Sequence, residues 1–167
     1  AYQFLYIPIA WLKKPMPLPK GLLHRYAVLI AARNEETVIG SLIESIKRQN
    51  YPADRIDIYV IADNCTDCTA KAAKSHSATV FERFDKVRIG KGYALNYLLG
   101  RIKKIYDAYL VFDADNVVDK NCVREINKTL SAGYDIVTSY RNSKNYGDNW
   151  ISSGYGLWFL REAQYLN

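Results

Sequence analysis

Tyr109-Leu110-Val111-Phe112-Asp113-Ala114-Asp115 runs four apolar residues straight into two carboxylates one residue apart. A short apolar run closed by polar turn residues reads as a buried strand of a parallel sheet. The same pattern recurs upstream, where residues 26–32 (YAVLIAA) precede Arg33, Asn34 and Glu35, and residues 56–62 (IDIYVIA) precede Asp63 and Asn64. The stretches between them have helical period. Val38, Ile39, Leu42, Ile43 and Ile46 form one apolar face, with Asn34 placed to cap that helix and Glu35 and Glu36 suited to its first turn. Pro52 ends it. Thr66 or Asp67 is expected to cap a small-residue helix containing Ala70, Ala72 and Ala73. Residues 78–82 read as a weaker strand and residues 93–105 as a helix. A last helix begins at Asp119, turns Val123, Ile126 and Leu130 inward and stops at Gly133; residues 134–139 follow as a further strand. Strands alternating with helices predict an α/β fold with a Rossmann-like, mostly parallel sheet and helices on both faces.

Ligands of such sheets bind beyond the carboxyl ends of the strands. The polar residues after each strand, Arg33-Asn34-Glu35, Asp63-Asn64 and Asp113-Ala114-Asp115, are therefore expected to converge. Asp113 and Asp115 repel each other unless a cation lies beside them. All-oxygen donors select hard cations, Mg²⁺ or Mn²⁺, which bridge naturally to a diphosphate. The plainer reading is a solvated turn with Asn116 and Asp119. Asp63 can accept hydrogen bonds from a base or ribose once helix capping has claimed Asn64, Thr66 or Asp67. Gly90-Lys91-Gly92, just before a helix, can place a lysine and backbone amides against phosphate. It is not a P-loop, since no Ser or Thr follows Lys91, and it is not a dinucleotide fingerprint.

Composition narrows the classes. The 167 residues are 49% hydrophobic and 24% charged, as in a folded globular domain, and carry a net charge of +6. The basic residues are scattered apart from Lys13, Lys14, Lys20, His24 and Arg25, so the charge points to a phosphorylated small molecule or lipid headgroups and not to nucleic acid. Cys65, Cys68 and Cys122 make an odd count, which fits a reducing compartment. The C-x-x-C of Cys65 and Cys68, even with His76, lacks the ligands of a zinc site and reads as small apolar side chains at a helix start.

Taken together, these stretches resemble the family 2 glycosyltransferases, the GT-A group that includes cellulose, hyaluronan and chitin synthases. The likeness runs from about residue 26 to residue 140. Ala31-Ala32-Arg33-Asn34-Glu35 stands at the family's Pro-x-Tyr-Asn-Glu-like start, with the proline and tyrosine absent. Ala62-Asp63-Asn64-Cys65-Thr66-Asp67 matches its Asp-Asp-Gly-Ser-Thr-Asp stretch, with Ala62 for the first aspartate. Lys91 lies in its glycine/lysine segment, and Asp113-Ala114-Asp115 is its D-x-D. The resemblance implies a GT-A fold and inverting transfer of a sugar from a nucleotide-diphosphate sugar, UDP-linked, to a glycan or lipid-linked acceptor. It implies nucleotide-binding roles for Ala31, Arg33, Glu35, Asp63, Lys91 and Asp113. Asp63 reads the uracil or ribose, Lys91 the diphosphate and Asp113 the ribose or sugar, while Asp115 ligates Mg²⁺ or Mn²⁺.

Three parts are expected: residues 1–25 as an apolar and basic segment with a proline-rich linker, 26–148 as the nucleotide-sugar-binding core, and 149–167 as an aromatic helix leading toward an acceptor half. The run from Phe4 to Leu12 is too short to span a bilayer. It reads either as the stump of a transmembrane helix, with Lys13 and Lys14 on the cytoplasmic side, or as a packed strap. The first reading places the enzyme at the cell membrane with its catalytic domain cytoplasmic. The family's catalytic base is not evident after Tyr140 and is expected beyond Asn167, with Glu162 a solvated helix residue, so the chain is expected to bind donor without rapid transfer. Ile151, Tyr155, Trp158 and Leu166 form either a core-packing face or a sugar platform, and as an uncovered face they favour self-association. The alternatives are a non-catalytic nucleotide-binding module and a nucleotidyltransferase, whose glycine-rich, Arg-containing loop near the first strand is absent.

Overall fold

The computed structural model describes residues 22–139. The chain divides into two compact units, residues 20–128 and a unit made of residues 1–19 and 129–167. The first holds a four-stranded, all-parallel sheet of β1 (Tyr26–Ala32), β2 (Ile56–Asp63), β3 (Thr79–Arg83) and β4 (Ala108–Asp113), in the order β3-β2-β1-β4. The helices are α1 (Ile39–Lys47), α2 (Thr69–Ser75), α3 (Lys91–Leu99) and α4 (Cys122–Ser131), and a 3₁₀ turn at Ala53–Arg55 leads into β2. Of the second unit, the described residues are the end of α4, where Gly133 closes the helix at φ 92° by donating its N–H to Leu130, and the segment to residue 139.

The sheet is covered on both faces because its central strand is apolar at every position. Ala27 and Leu29 of β1 and Tyr59 and Ile61 of β2 pack with Ala94 and Leu98 of α3 and with Tyr106. The alternate residues Val28, Ile30 and Val60 are fully buried as well, as are Ile39, Leu42, Ile43 and Ile46 of α1 and Val123 of α4. Tyr26 marks the second face by donating its hydroxyl hydrogen to Asn127 of α4. Gln49, just past α1, ties the two helices on that side, accepting the Val123 N–H and donating to the carbonyls of Ser45 and Asp119. Asn127 is buried, and its oxygen also accepts from the Tyr51 hydroxyl and the His24 N–H. Burying a polar side chain is tolerable only when its hydrogen bonds are met in this way.

Several sequence expectations change. Asn34 does not cap α1. It adopts a left-handed φ of 56° and accepts the Thr66 N–H at 2.8 Å, so α1 begins only at Ile39, with Val38 N-terminal to it. Asn and Asp tolerate that backbone region better than other side chains, and the tie to the next loop satisfies the amide. The helix expected over 93–105 spans Lys91–Leu99, ending at Gly100. Residues 134–139 pair with no strand among the described residues, and Ile136 is exposed. A strand-like composition alone does not make a strand, because strand formation depends on the context that supplies its hydrogen bonds. The segments 1–21 and 140–167, with their expected membrane stump and aromatic helix, lie outside the described residues. Within the described residues no helix is long and apolar enough to cross a membrane.

Candidate nucleotide-binding site

In the order β3-β2-β1-β4 the chain steps from β1 outward to β3, then returns to the other side of β1. The crevice at the carboxyl ends of β1 and β4 is thus the topological switch point, the favoured ligand position of an open α/β sheet. In register, Ala31 of β1 faces Asp113 of β4, and Ala32 faces Ala62, the residue before Asp63. Ala31 packs with the α3-side cluster, so by strand alternation Asp113 and Asp63 point to that same side. The two carboxylates flank β1, two strand spacings apart across the sheet, with Asp63 set two residues further along its strand. Between them the central strand offers only the methyl group of Ala31.

Helix α3 completes this side. Gly90 enters it at φ 131° and ψ 158°, a region only glycine occupies without strain. This delivers Lys91 to the first helical turn, where its ammonium pairs with the Asp113 carboxylate. Lys91 and Asp113 are each about half exposed, so the pair is open to exchange with an incoming anion or cation. Asp115 lies exposed two residues on, and its side chain makes no hydrogen bond or ion pair among the described residues. No cluster of three or more His, Cys, Asp or Glu side chains suited to a metal occurs among the described residues. Two neighbouring carboxylates and no closed cage suit Mg²⁺ or Mn²⁺, which keep waters and draw further oxygens from a substrate phosphate. The donor set therefore fits a divalent cation.

Asp63 departs from the sequence reading. It is not a free acceptor. Arg83 stands opposite it in register on β3 and donates from Nη1 to Asp63 Oδ1 at 2.5 Å, with both side chains buried. The same guanidinium donates from Nη2 to the Asp85 carboxylate and the Arg88 carbonyl. Isolated, the buried Asp63 carboxylate could not stay charged at tolerable cost, so the partner is a physical requirement. Arg83 and Asp85 were missed in the sequence because register, not spacing, brings Arg83 to Asp63.

The first two loops are laced together. Glu35 donates its N–H to Thr69 Oγ1, Glu36 donates its N–H to Asp67, and the Glu36 carboxylate accepts the Cys68 N–H. Asp67 accepts the Thr69 N–H and hydroxyl just ahead of α2, but the N-cap is Cys68 and no side chain caps the helix, so the expected cap by Thr66 or Asp67 is not formed. The Asp67 carboxyl is held below the usual range. In the lowering, hydrogen bonds from Thr69 and Glu36 outweigh the opposing cost of partial desolvation. Arg33 is exposed at the head of this loop. The structure thus brings Ala31, Lys91 and Asp113 together, sets Asp63 on the same face, and ties Glu35 into the loop lacing. The cysteines are free thiols, and burial raises the Cys122 thiol. His76 lies 3.0 Å from Glu44 on α1 and against Gly40, not beside the cysteines.

The fold is an open parallel sheet with acidic strand ends at its switch point and a lysine at a helix N-terminus, an arrangement suited to a phosphorylated ligand. The family model described as "Glycosyltransferase like family 2" matches residues 24–165. The chain belongs to that family. It is 33% identical over 105 residues to a beta-monoglucosyldiacylglycerol synthase of Synechocystis, covering 59% of this chain and 21% of that protein. A mannosyltransferase of Pyrobaculum calidifontis, solved with GDP-Man and Mn²⁺, superposes with a TM-score of 0.63 at 24% identity, over 81% of this chain and 41% of the other. The Staphylococcus aureus protein TarS 1-349, solved with UDP-GlcNAc, gives a TM-score of 0.56 at 17% identity, over 70% and 38%. The chain thus spans about a fifth of the curated relative's length.

Proposed function

We propose that this chain carries the donor-binding site of an inverting glycosyltransferase that takes a sugar from a uridine diphosphate sugar. The observation that supports this best is the pairing of Lys91 with Asp113 beside Asp115 at the switch point. In this reading the nucleoside sits over Ala31, toward Asp63 and Arg83, and the diphosphate lies toward the N-terminus of α3. Arg33 and Glu35 border the nucleotide from the β1–α1 loop. Lys91 exchanges its contact with Asp113 for the diphosphate. Asp113 is thereby freed to accept from ribose or sugar hydroxyls. Asp115 would hold a Mg²⁺ or Mn²⁺ ion, which would supply charge stabilisation to the departing nucleoside diphosphate. UDP-GlcNAc and GDP-Man, bound by the two similar structures, and the glycolipid product in the relative's name set the range of donors and acceptors to test. A lipid-linked or glycan acceptor and attachment at the cytoplasmic face of the cell membrane belong to the same proposal.

Calorimetric titration with UDP, GDP and their sugars, with Mn²⁺ and with excess chelator, tests it. Tight binding of a uridine compound only with the metal is expected, and Asp115→Asn, at an exposed position, removes the metal dependence while circular dichroism stays unchanged. Equal affinity with Mn²⁺ and with chelator would refute the metal role. Preference for GDP would overturn the choice of uridine.

A further inference from the structure

The loop between β3 and α3 is built unlike the other loops at this end of the sheet. Its apolar side chains point outward: Phe84 is 72% exposed, Val87 91% and Ile89 52%. Lys86 and Arg88 are interleaved with them and are also exposed. Yet the loop is anchored at its base. Asp85 accepts the N–H groups of Val87 and Arg88 on Oδ1 and the Arg83 guanidinium on Oδ2. The Asn64 side chain brackets Asp85, accepting its N–H and donating to its carbonyl, and Arg83 also holds the Arg88 carbonyl. Three apolar residues held outward by this hydrogen-bonded base, with Arg83 buried at its centre, are not left exposed by slack backbone. An exposed apolar cluster rimmed by charge marks an interaction surface.

We infer that residues 84–89 form a preorganised tip that seats on the headgroup layer of an anionic bilayer. The alternation decides the partner's chemistry. Phe84, Val87 and Ile89 suit the acyl boundary, while Lys86 and Arg88 suit phosphate headgroups, the combination that interfacial segments use. A free nucleotide would use the cations and leave Val87 in water. The tip follows β3, the sheet edge opposite β4, and leads into Gly90 and Lys91, so seating it brings the nucleotide site to the membrane surface. The inference uses neither the segment before residue 22 nor the identity of the acceptor.

The test is co-sedimentation of the chain with phosphatidylglycerol or phosphatidylcholine vesicles at physiological salt, combined with timed trypsin digestion read by mass spectrometry at Lys86 and Arg88. Binding to the anionic vesicles and slowed cleavage at these two sites are expected, with neither on phosphatidylcholine. Lys86→Glu should weaken vesicle binding about fivefold or more, from the contribution of one basic residue near such a surface. Val87→Ser combined with Ile89→Ser should weaken it at least as much, with metal-dependent nucleotide affinity retained as the check on folding. Failure to bind anionic vesicles, equal binding to both lipids, or unchanged cleavage at Lys86 with the chain vesicle-bound would each overturn the inference. The last outcome would locate the membrane contact elsewhere in the chain.

Discussion

Arg83 ties the end of β2 to the β3–α3 loop through two carboxylates and one carbonyl while almost fully buried. A buried ion pair is weak evidence of net stabilisation, but removing one partner strands the other. Arg83→Ala should therefore cost about 3–5 kcal/mol in urea unfolding, since the buried Asp63 loses its partner. Arg83→Met combined with Asp63→Leu should recover much of that loss, because the buried pair is replaced by apolar side chains and the only charge to lose a partner is the part-exposed Asp85, while nucleotide binding stays weak. If the double variant is no more stable than Arg83→Ala alone, Arg83 acts through its packing rather than its charge. Nothing around Arg83 in the sequence marks it, since its importance comes from facing Asp63 across the β2–β3 ladder.

Two predictions concern whole elements. The β3–α3 loop depends on an ionised Asp85. The N–H groups of Arg88 and Val87, then the Arg83 charge, hold this carboxyl below its ordinary value of 3.8. A depressed folded-state value means that the loop's stabilisation is present above the ordinary value and lost as pH falls through the folded one. NMR titration should show the Val87 and Arg88 amide signals moving together with Asp85 below pH 3.8, and Asp85→Asn should abolish that step. The entry to α3 depends on Gly90. No atom lies within 4 Å of where its Cβ would stand, so Gly90→Ala meets no clash. Its φ of 131° still excludes other side chains, and the strain should cost about 1–3 kcal/mol. Thermal melts would show the loss, and calorimetry a weaker diphosphate affinity as Lys91 is displaced.

At the level of the complete chain, the expectation is that binding and catalysis separate. The residues proposed to face the donor lie within 31–115, inside a chain that spans 21% of one relative and about two-fifths of the similar solved structures. Inverting transfer needs a base on the acceptor hydroxyl, worth roughly 10²–10⁴-fold, and an acceptor held in line. Residues 1–167 should bind the uridine compound with Mn²⁺ and show at most slow donor hydrolysis in a radiolabelled-sugar assay. Rapid glycan or lipid product from this chain would place a base within it, with Asp148 and Glu162 the first to substitute.

The α/β class, the four strands of the sheet and the acidic strand ends could be read directly from residue order. Each depends on neighbours a few positions apart, where hydrophobic period and turn chemistry act. The D-x-D after Phe112 and the glycines around Lys91 were legible for the same reason. Contacts across the sheet were not. Asn34 looks like a helix cap in sequence, but its amide serves Thr66, 32 residues away. Residues 134–139 look like a strand, yet strand formation depends on context and not on composition alone. Asp63 looks free until parallel register sets Arg83 opposite it. Register and strand order are collective outcomes of packing four strands against helices, so the switch point, the meeting of Lys91 with Asp113 and the buried Asp63–Arg83 pair exist only once the sheet has assembled.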